Sequence, residues 1–252
     1  MLFRSTVKDE NMDLSFLRNA CTDIKDQISI RHKAIYIDNP FVVDNLNNSG
    51  KINPMEDFLK DLLKDKDEAD ILDGIIETVL AKERLNEVYQ ALQTVIDGQI
   101  IEKKGEGFYL TKDGLQQPVL FNNLSTGLKS FVIIKMLVER GLIREKDVLI
   151  LDEPEIHLHP QWQVAYAELI VLLQKYFDLS IVVTTHSPYF LDAINIFSVK
   201  HGLGSKVNYY LASMEAESVK MDCVTGNMEL IYQKMASPIQ MLDTLRYELN
   251  HI

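Results

Sequence analysis

Two short clusters of polar residues each follow an apolar run, and both could do chemistry. Asp152-Glu153-Pro154-Glu155 comes directly after Val148–Leu151, and Thr184-Thr185-His186-Ser187-Pro188 closes the run that starts at Ile181. An aspartate at the end of a buried strand can hold the water shell of Mg2+. A glutamate beside it can polarise an attacking water, and a histidine facing both can sense or stabilise a transferred phosphate. Taken singly, such acids are ordinary turn or cap residues and such a histidine an ordinary surface or core residue; the joint pattern is what points to a site. A third cluster lies upstream, Asn123-Leu-Ser125-Thr126-Gly127-Leu-Lys129-Ser130, at the head of an apolar stretch. Ser125 is a good helix cap, Gly127 permits close backbone approach, and free amides at a helix start attract anions. A plain capped helix start is the competing reading of that segment.

The elements around these clusters must bring them together. The runs Val148–Leu151 and Ile181–Thr185 have the length and composition of buried parallel strands. Between them, Pro160 suits the first position of a helix, with Trp162, Tyr166, Leu169, Leu173 and Tyr176 along one face. Strand, helix and strand form a right-handed crossover, so both strands end at the same sheet edge, where such folds bind ligands. Upstream, a helix is expected from about Gly127 to Gly141. A β-rich patch should precede it: Gln99–Lys104 and Phe108–Thr111 around Gly105-Glu-Gly107, with a third strand near Pro118–Phe121. Apolar spacing predicts helices after Pro54 and from Leu85 to Ile96. The first third reads as polar and helix-like, so residues 1–97 are expected to be a mostly helical lobe and 98–252 a second unit. The tail should hold a strand at Val207–Leu211 and a helix after Pro238.

The chain has 252 residues, 46% hydrophobic and 25% charged, enough apolar material for a core without disulfide or metal staples. No apolar run approaches the roughly 18 residues a membrane span requires. Cys21 and Cys223 lie in no metal-binding or redox spacing, and Met1–Glu10 holds no apolar signal core, so a cytoplasmic protein without membrane partners is expected. The net charge of −11 does not favour nucleic acid as a partner, although a local basic patch stays open.

In order and spacing, these clusters resemble a family. Leu124-Ser-Thr-Gly127 is similar to the signature motif of ABC-type ATPases, and Val148-Leu-Ile-Leu-Asp-Glu153 to their Walker B strand. Glu155-Ile-His-Leu-His-Pro160 resembles the D-loop region, and Thr184-Thr-His186-Ser-Pro188 the switch-histidine strand. The wording is closest to AAA-type ATP-binding proteins related to SMC, RecF and OLD proteins, and the resemblance is close over roughly residues 95–195. It implies an α/β fold of P-loop NTPase type, with a parallel sheet flanked by helices. It implies ATP and Mg2+, with Asp152 serving the metal, Glu153 the catalytic base and His186 the switch. Ser125 and Gly127 would touch the γ-phosphate of an ATP held by a partner head, with Thr126 and Lys129 also among the nucleotide-binding residues, so the resemblance also implies a homodimer or higher oligomer formed around sandwiched nucleotides. Phage defence, toxin control and DNA repair are all compatible outputs, acting on an effector or nucleic-acid partner, with defence preferred.

One departure limits this. The phosphate-cradling loop G-x-x-x-x-G-K-[ST] is absent, and the nearest approach, Asn45-Leu-Asn-Asn-Ser-Gly50-Lys51-Ile52, lacks the first glycine and the hydroxyl. The chain is therefore expected to be the C-terminal portion of such an ATPase, incomplete at its N-terminus. Its P-loop lobe would come from missing sequence or a partner chain; otherwise the head is a non-catalytic module complementing a P-loop-bearing partner. A further alternative is a metal-dependent hydrolase using His157 and His159 with Asp152. The sixty or so residues after the switch histidine are too few for an added nuclease domain.

Overall fold

The computed structural model describes residues 2–7, 10–17, 20–25, 32–46, 50, 53–64, 85–103, 106–215 and 218–249. Two compact units divide the chain, residues 1–33 and residues 34–252. The first holds three antiparallel strands in sequential order, β1 (Leu2–Val7), β2 (Glu10–Leu17) and β3 (Ala20–Lys25).

The second unit starts with β4 (Ala34–Ile37), a 3-10 turn at Pro40–Asn45, α1 (Pro54–Lys64) and α2 (Asn86–Val95). The antiparallel patch follows as β5 (Gln99–Lys103), β6 (Gly107–Thr111) and β7 (Val119–Leu120). Then come α3 (Thr126–Glu139), β8 (Val148–Asp152), α4 (Pro160–Phe177), β9 (Ser180–Thr184) and α5 (Pro188–Lys200). The tail is the hairpin β10 (Tyr210–Glu215) and β11 (Ser218–Cys223), and α6 (Glu229–Leu249).

The central sheet is parallel, in the order β4-β8-β9. β8 lies between two partners, which explains its unbroken Val148-Leu-Ile-Leu151 run. Helix α3 is buried from Phe131 to Val138. Its Phe131 ring meets Trp162 and Tyr166 of α4 edge-on. The core joins these residues to Ile35 and Ile37 of β4, Leu59 and Leu63 of α1, Val88 and Leu92 of α2, and Phe108 of β6.

These facts correct four expectations. Strands occupy Leu2–Val7, Glu10–Leu17 and Ala20–Lys25, where helix was expected. The boundary expected between 97 and 98 falls inside one core, because β4, α1 and α2 bury their apolar faces against the same elements that carry the site. β4 escapes the sequence pattern because four residues, Ala-Ile-Tyr-Ile, carry too little periodicity to separate strand from helix. In the tail the strand begins at Tyr210 rather than Val207, and α6 runs through Pro238 instead of starting after it. Proline at 238 removes the amide that would bond the Lys234 carbonyl. The Ser237 hydroxyl donates to that carbonyl instead, at 2.9 Å, so the helix continues. Among the described residues no helix is long and apolar enough to cross a membrane.

Candidate functional site

Parallel pairing sets Asp152 directly opposite Thr184. The Thr184 hydroxyl donates to Asp152 Oδ1 and accepts from the backbone amide of Glu153 at 3.0 Å. From the other flank, the Tyr36 hydroxyl of β4 donates to Asp152 Oδ2 at 3.2 Å. Burial, then the hydrogen bond to Asp152, push the Tyr36 phenol above its ordinary pKa and keep it a donor. Hydroxyls from both neighbouring strands thus hold the Asp152 carboxylate.

After Asp152 the chain turns sharply. Glu153 adopts φ of 45°, in the left-handed region that disfavours side chains with a Cβ. The turn is closed by the Ile156 amide donating to the Glu153 carbonyl at 3.1 Å. Glu153 Oε1 lies 2.7 Å from His186 Nε2, although the His186 side chain is 84% exposed. Glu155 points inward and is buried. One of its oxygens accepts from the Thr185 hydroxyl, from the His186 amide at 3.0 Å and from the Ser187 amide at 3.3 Å. Gln163 of α4 makes a second tie: its amide nitrogen donates to the Leu158 carbonyl at 3.1 Å and its oxygen accepts from the Ser187 hydroxyl. A shallow cleft beside these residues is lined by Asp38, Asn39, Asp152, Glu153, Ile156 and His157.

The helix start of α3 is built differently. Ser125 is extended and exposed, and its hydroxyl accepts from the Leu128 amide at 3.4 Å. Thr126 is half-buried behind it. Gly127 is buried, and a Cβ there would lie 3.1 Å from both the His157 carbonyl and the Trp162 ring. The close approach that this glycine permits is thus to its own chain. Lys129 departs from its expected place at a phosphate. It is 3% exposed, donates to Asp44 at 2.6 Å and to the Asn122 carbonyl at 3.4 Å, and lies over the Phe41 ring. Its charge anchors the Pro40–Asn45 turn to α3, because a buried ammonium requires a carboxylate near it.

The two histidines of the His-x-His pair take separate partners. His159 caps α4 by accepting from the Gln161 amide, and the His157 ring meets Phe41 edge-on. Among the described residues no group of three or more His, Cys, Asp or Glu side chains is arranged to hold a metal. Asp152 with the Thr184 hydroxyl does suit Mg2+, which binds through few protein oxygens and keeps most of its waters.

Asp152, Glu153 and His186 meet at one sheet edge, as their places after two apolar runs predict; the parts played by Glu155, Thr184, Tyr36 and Asp44 carry no such signal in the sequence. The parallel register was the missing signal for Thr184, since pairing two strands of equal length by their ends sets it against Asp152.

Residues 14–192 match the family model described as "AAA domain, putative AbiEii toxin, Type IV TA system". The chain is 35% identical over 91 residues to the Septu protein PtuA of Bacillus thuringiensis, a match covering 31% of this chain and 22% of that protein. It is 39% identical over 59 residues to the "Retron Ec83 probable ATPase" of Escherichia coli, covering 22% of this chain and 10% of that one. The matches therefore span less than a quarter of the length of either relative. Among solved structures, the SMC head domain from Thermotoga maritima gives a TM-score of 0.45 at 13% identity, over 88% of this chain and 72% of that one. A structure described under "Structural biochemistry of ATP-driven dimerization and DNA stimulated activation of SMC ATPases" gives 0.41 at 13% identity, over 64% and 87%.

Proposed function

This chain belongs to the AAA domain family AAA_21, and we propose that it carries the hydrolytic half of an ATP site whose phosphate cradle comes from elsewhere. The observation that supports this most is the edge of β8 and β9. Asp152 is oriented there by two hydroxyls, and Glu153 sits 2.7 Å from the switch-like His186.

In this reading Asp152 would hold Mg2+ through its waters, and the metal would supply charge neutralisation at the phosphates. Glu153 accepts the proton of the water that attacks the γ-phosphorus as the bond to ADP breaks. His186, held by Glu153, stands where it can respond to the phosphate. The exposed hydroxyl of Ser125, with Thr126, complements a nucleotide carried by a second head, so two heads pair around ATP. Lys129 has no part in that contact, because its ammonium is paired with Asp44. The family's description names a type IV toxin–antitoxin system, which supports control of an effector as the output, in a defence setting.

The absent G-x-x-x-x-G-K-[ST] loop favours a second reading, a non-hydrolysing head that only completes a partner's site. Turnover of Mg-ATP by the assembly purified from the native host separates the two. Glu153→Gln should slow turnover by roughly 10²–10⁴-fold while ATP-driven association persists. Unchanged turnover in that variant rejects the first reading and favours the second.

A further inference from the structure

We infer that Glu155 is a positioning residue for His186: its buried carboxylate clamps the segment after β9 to the loop after β8. The inference rests on the hydrolytic reading above and goes beyond it, to a residue that never faces the substrate.

The His186 ring is almost fully exposed, so side-chain packing cannot fix it. Its place beside Glu153 must come from its backbone. Most donors of that segment converge on one group, with the Ser187 amide shared with the Thr185 hydroxyl at 3.1 Å. Glu155, 4% exposed, gathers the Thr185 hydroxyl and the His186 and Ser187 amides onto a single oxygen. Three donors from consecutive residues on one carboxylate oxygen leave the segment little freedom to slide or rotate. Hydrogen bonds to an ionised acceptor are about twice as strong as neutral ones, which suits a clamp made at a loop rather than within a ladder. The second carboxylate oxygen is buried without a hydrogen-bond partner. Burying a carboxylate in that way is unfavourable, so the geometry is not one that folding alone would select.

The clamp also has a direction. Glu155 lies two residues after Glu153, in a loop tied by the Leu158 amide to the Glu155 carbonyl at 2.9 Å. The carbonyl of His157 in the same loop is the group Gly127 of α3 approaches. A displacement of the 155–158 loop therefore reaches His186 through Glu155, and through Gln163, which joins Leu158 to Ser187. The loop that faces the signature-like helix start and the histidine that faces the phosphate move as one piece.

The test combines Glu155→Ala, Glu155→Gln, His186→Ala and the double variant Glu155→Ala/His186→Ala in the native assembly, with Glu153→Gln as the control for the hydrolytic reading. Glu155→Ala should lower kcat by about tenfold to a hundredfold, the penalty of a misplaced reacting group, with KM for ATP changed less than about threefold. Glu155→Gln, which keeps an acceptor oxygen, should restore most of kcat. In the double variant the Glu155 substitution should add almost nothing to His186→Ala, since coupled residues are non-additive. Amide exchange of residues 185–187, measured on the chain with no turnover needed, should speed up in Glu155→Ala and be largely restored in Glu155→Gln.

Full additivity in the double variant, or unaltered exchange at 185–187 in Glu155→Ala, overturns the clamp. If Glu153→Gln leaves turnover untouched, the hydrolytic reading falls and the role of Glu155 in hydrolysis falls with it; the exchange measurement then still decides whether the clamp exists. A loss of kcat in Glu153→Gln without one in Glu155→Ala leaves the reading standing and removes only the inference.

Discussion

The β8–β9 edge and the start of α3 both offer polar groups to solvent, yet they are organised in opposite ways. At the sheet edge, Asp152, Glu153 and His186 are held by residues distant in sequence: Tyr36 from β4, Thr184 from β9, Glu155 across the gap. At the helix start, Ser125 is held within its own turn, its hydroxyl by the Leu128 amide and its carbonyl by the Lys129 amide, and what surrounds it is engaged inward, Gly127 against His157 and Trp162, Lys129 against Asp44. The first region is preorganised within the chain. The second presents a local cap whose exposed oxygen, in the proposed pairing of heads, would gain its further partners from outside. Preorganisation is what electrostatic catalysis needs, and a surface left with few tertiary ties is what an inter-head contact can accommodate.

Substitutions can break or sharpen this contrast. The largest effect on stability should come from Lys129→Ala, which leaves Asp44 without its cation and should reduce unfolding free energy by about 3 kcal/mol, seen as a lower denaturant midpoint. If stability held and only nucleotide-driven association fell, Lys129 would belong to the outward-facing set after all. Thr184→Val removes both a donor to Asp152 and an acceptor for the Glu153 amide, and should cost about 2 kcal/mol, read in the same titration together with a higher Mg2+ requirement for turnover. Ser125→Ala should cost only about 1 kcal/mol, the usual loss of a helix cap, while weakening ATP-driven association measured by light scattering. A stability loss from Ser125→Ala as large as that from Thr184→Val would erase the difference between the regions.

Much of the fold could be read from the residues, and the parts that could not share a cause. The apolar runs at Val148–Leu151 and Ile181–Val183, the proline at 160 and the stripe along α4 were strong local signals, and β8, α4 and β9 appear where they point. The meeting of Asp152, Glu153 and His186 at one sheet edge followed from their places after those runs. What escaped was decided by tertiary pairing. Ala34–Ile37 becomes a strand because β8 offers it an edge, and Lys129 turns inward because Asp44, 85 residues earlier, waits for it. The cap role of His159 was likewise not signalled by its spacing from His157.

The left-handed turn at Glu153 carries a consequence for selection. A side chain with a Cβ at φ of 45° is disfavoured by about 1–2 kcal/mol, and glycine would relieve it. Natural chains hold only a small stability margin, so random drift at that position would move toward glycine or asparagine unless the carboxylate itself is useful. The acid sits where the backbone disfavours it, and stability-guided engineering of this protein would be drawn to remove its proposed base.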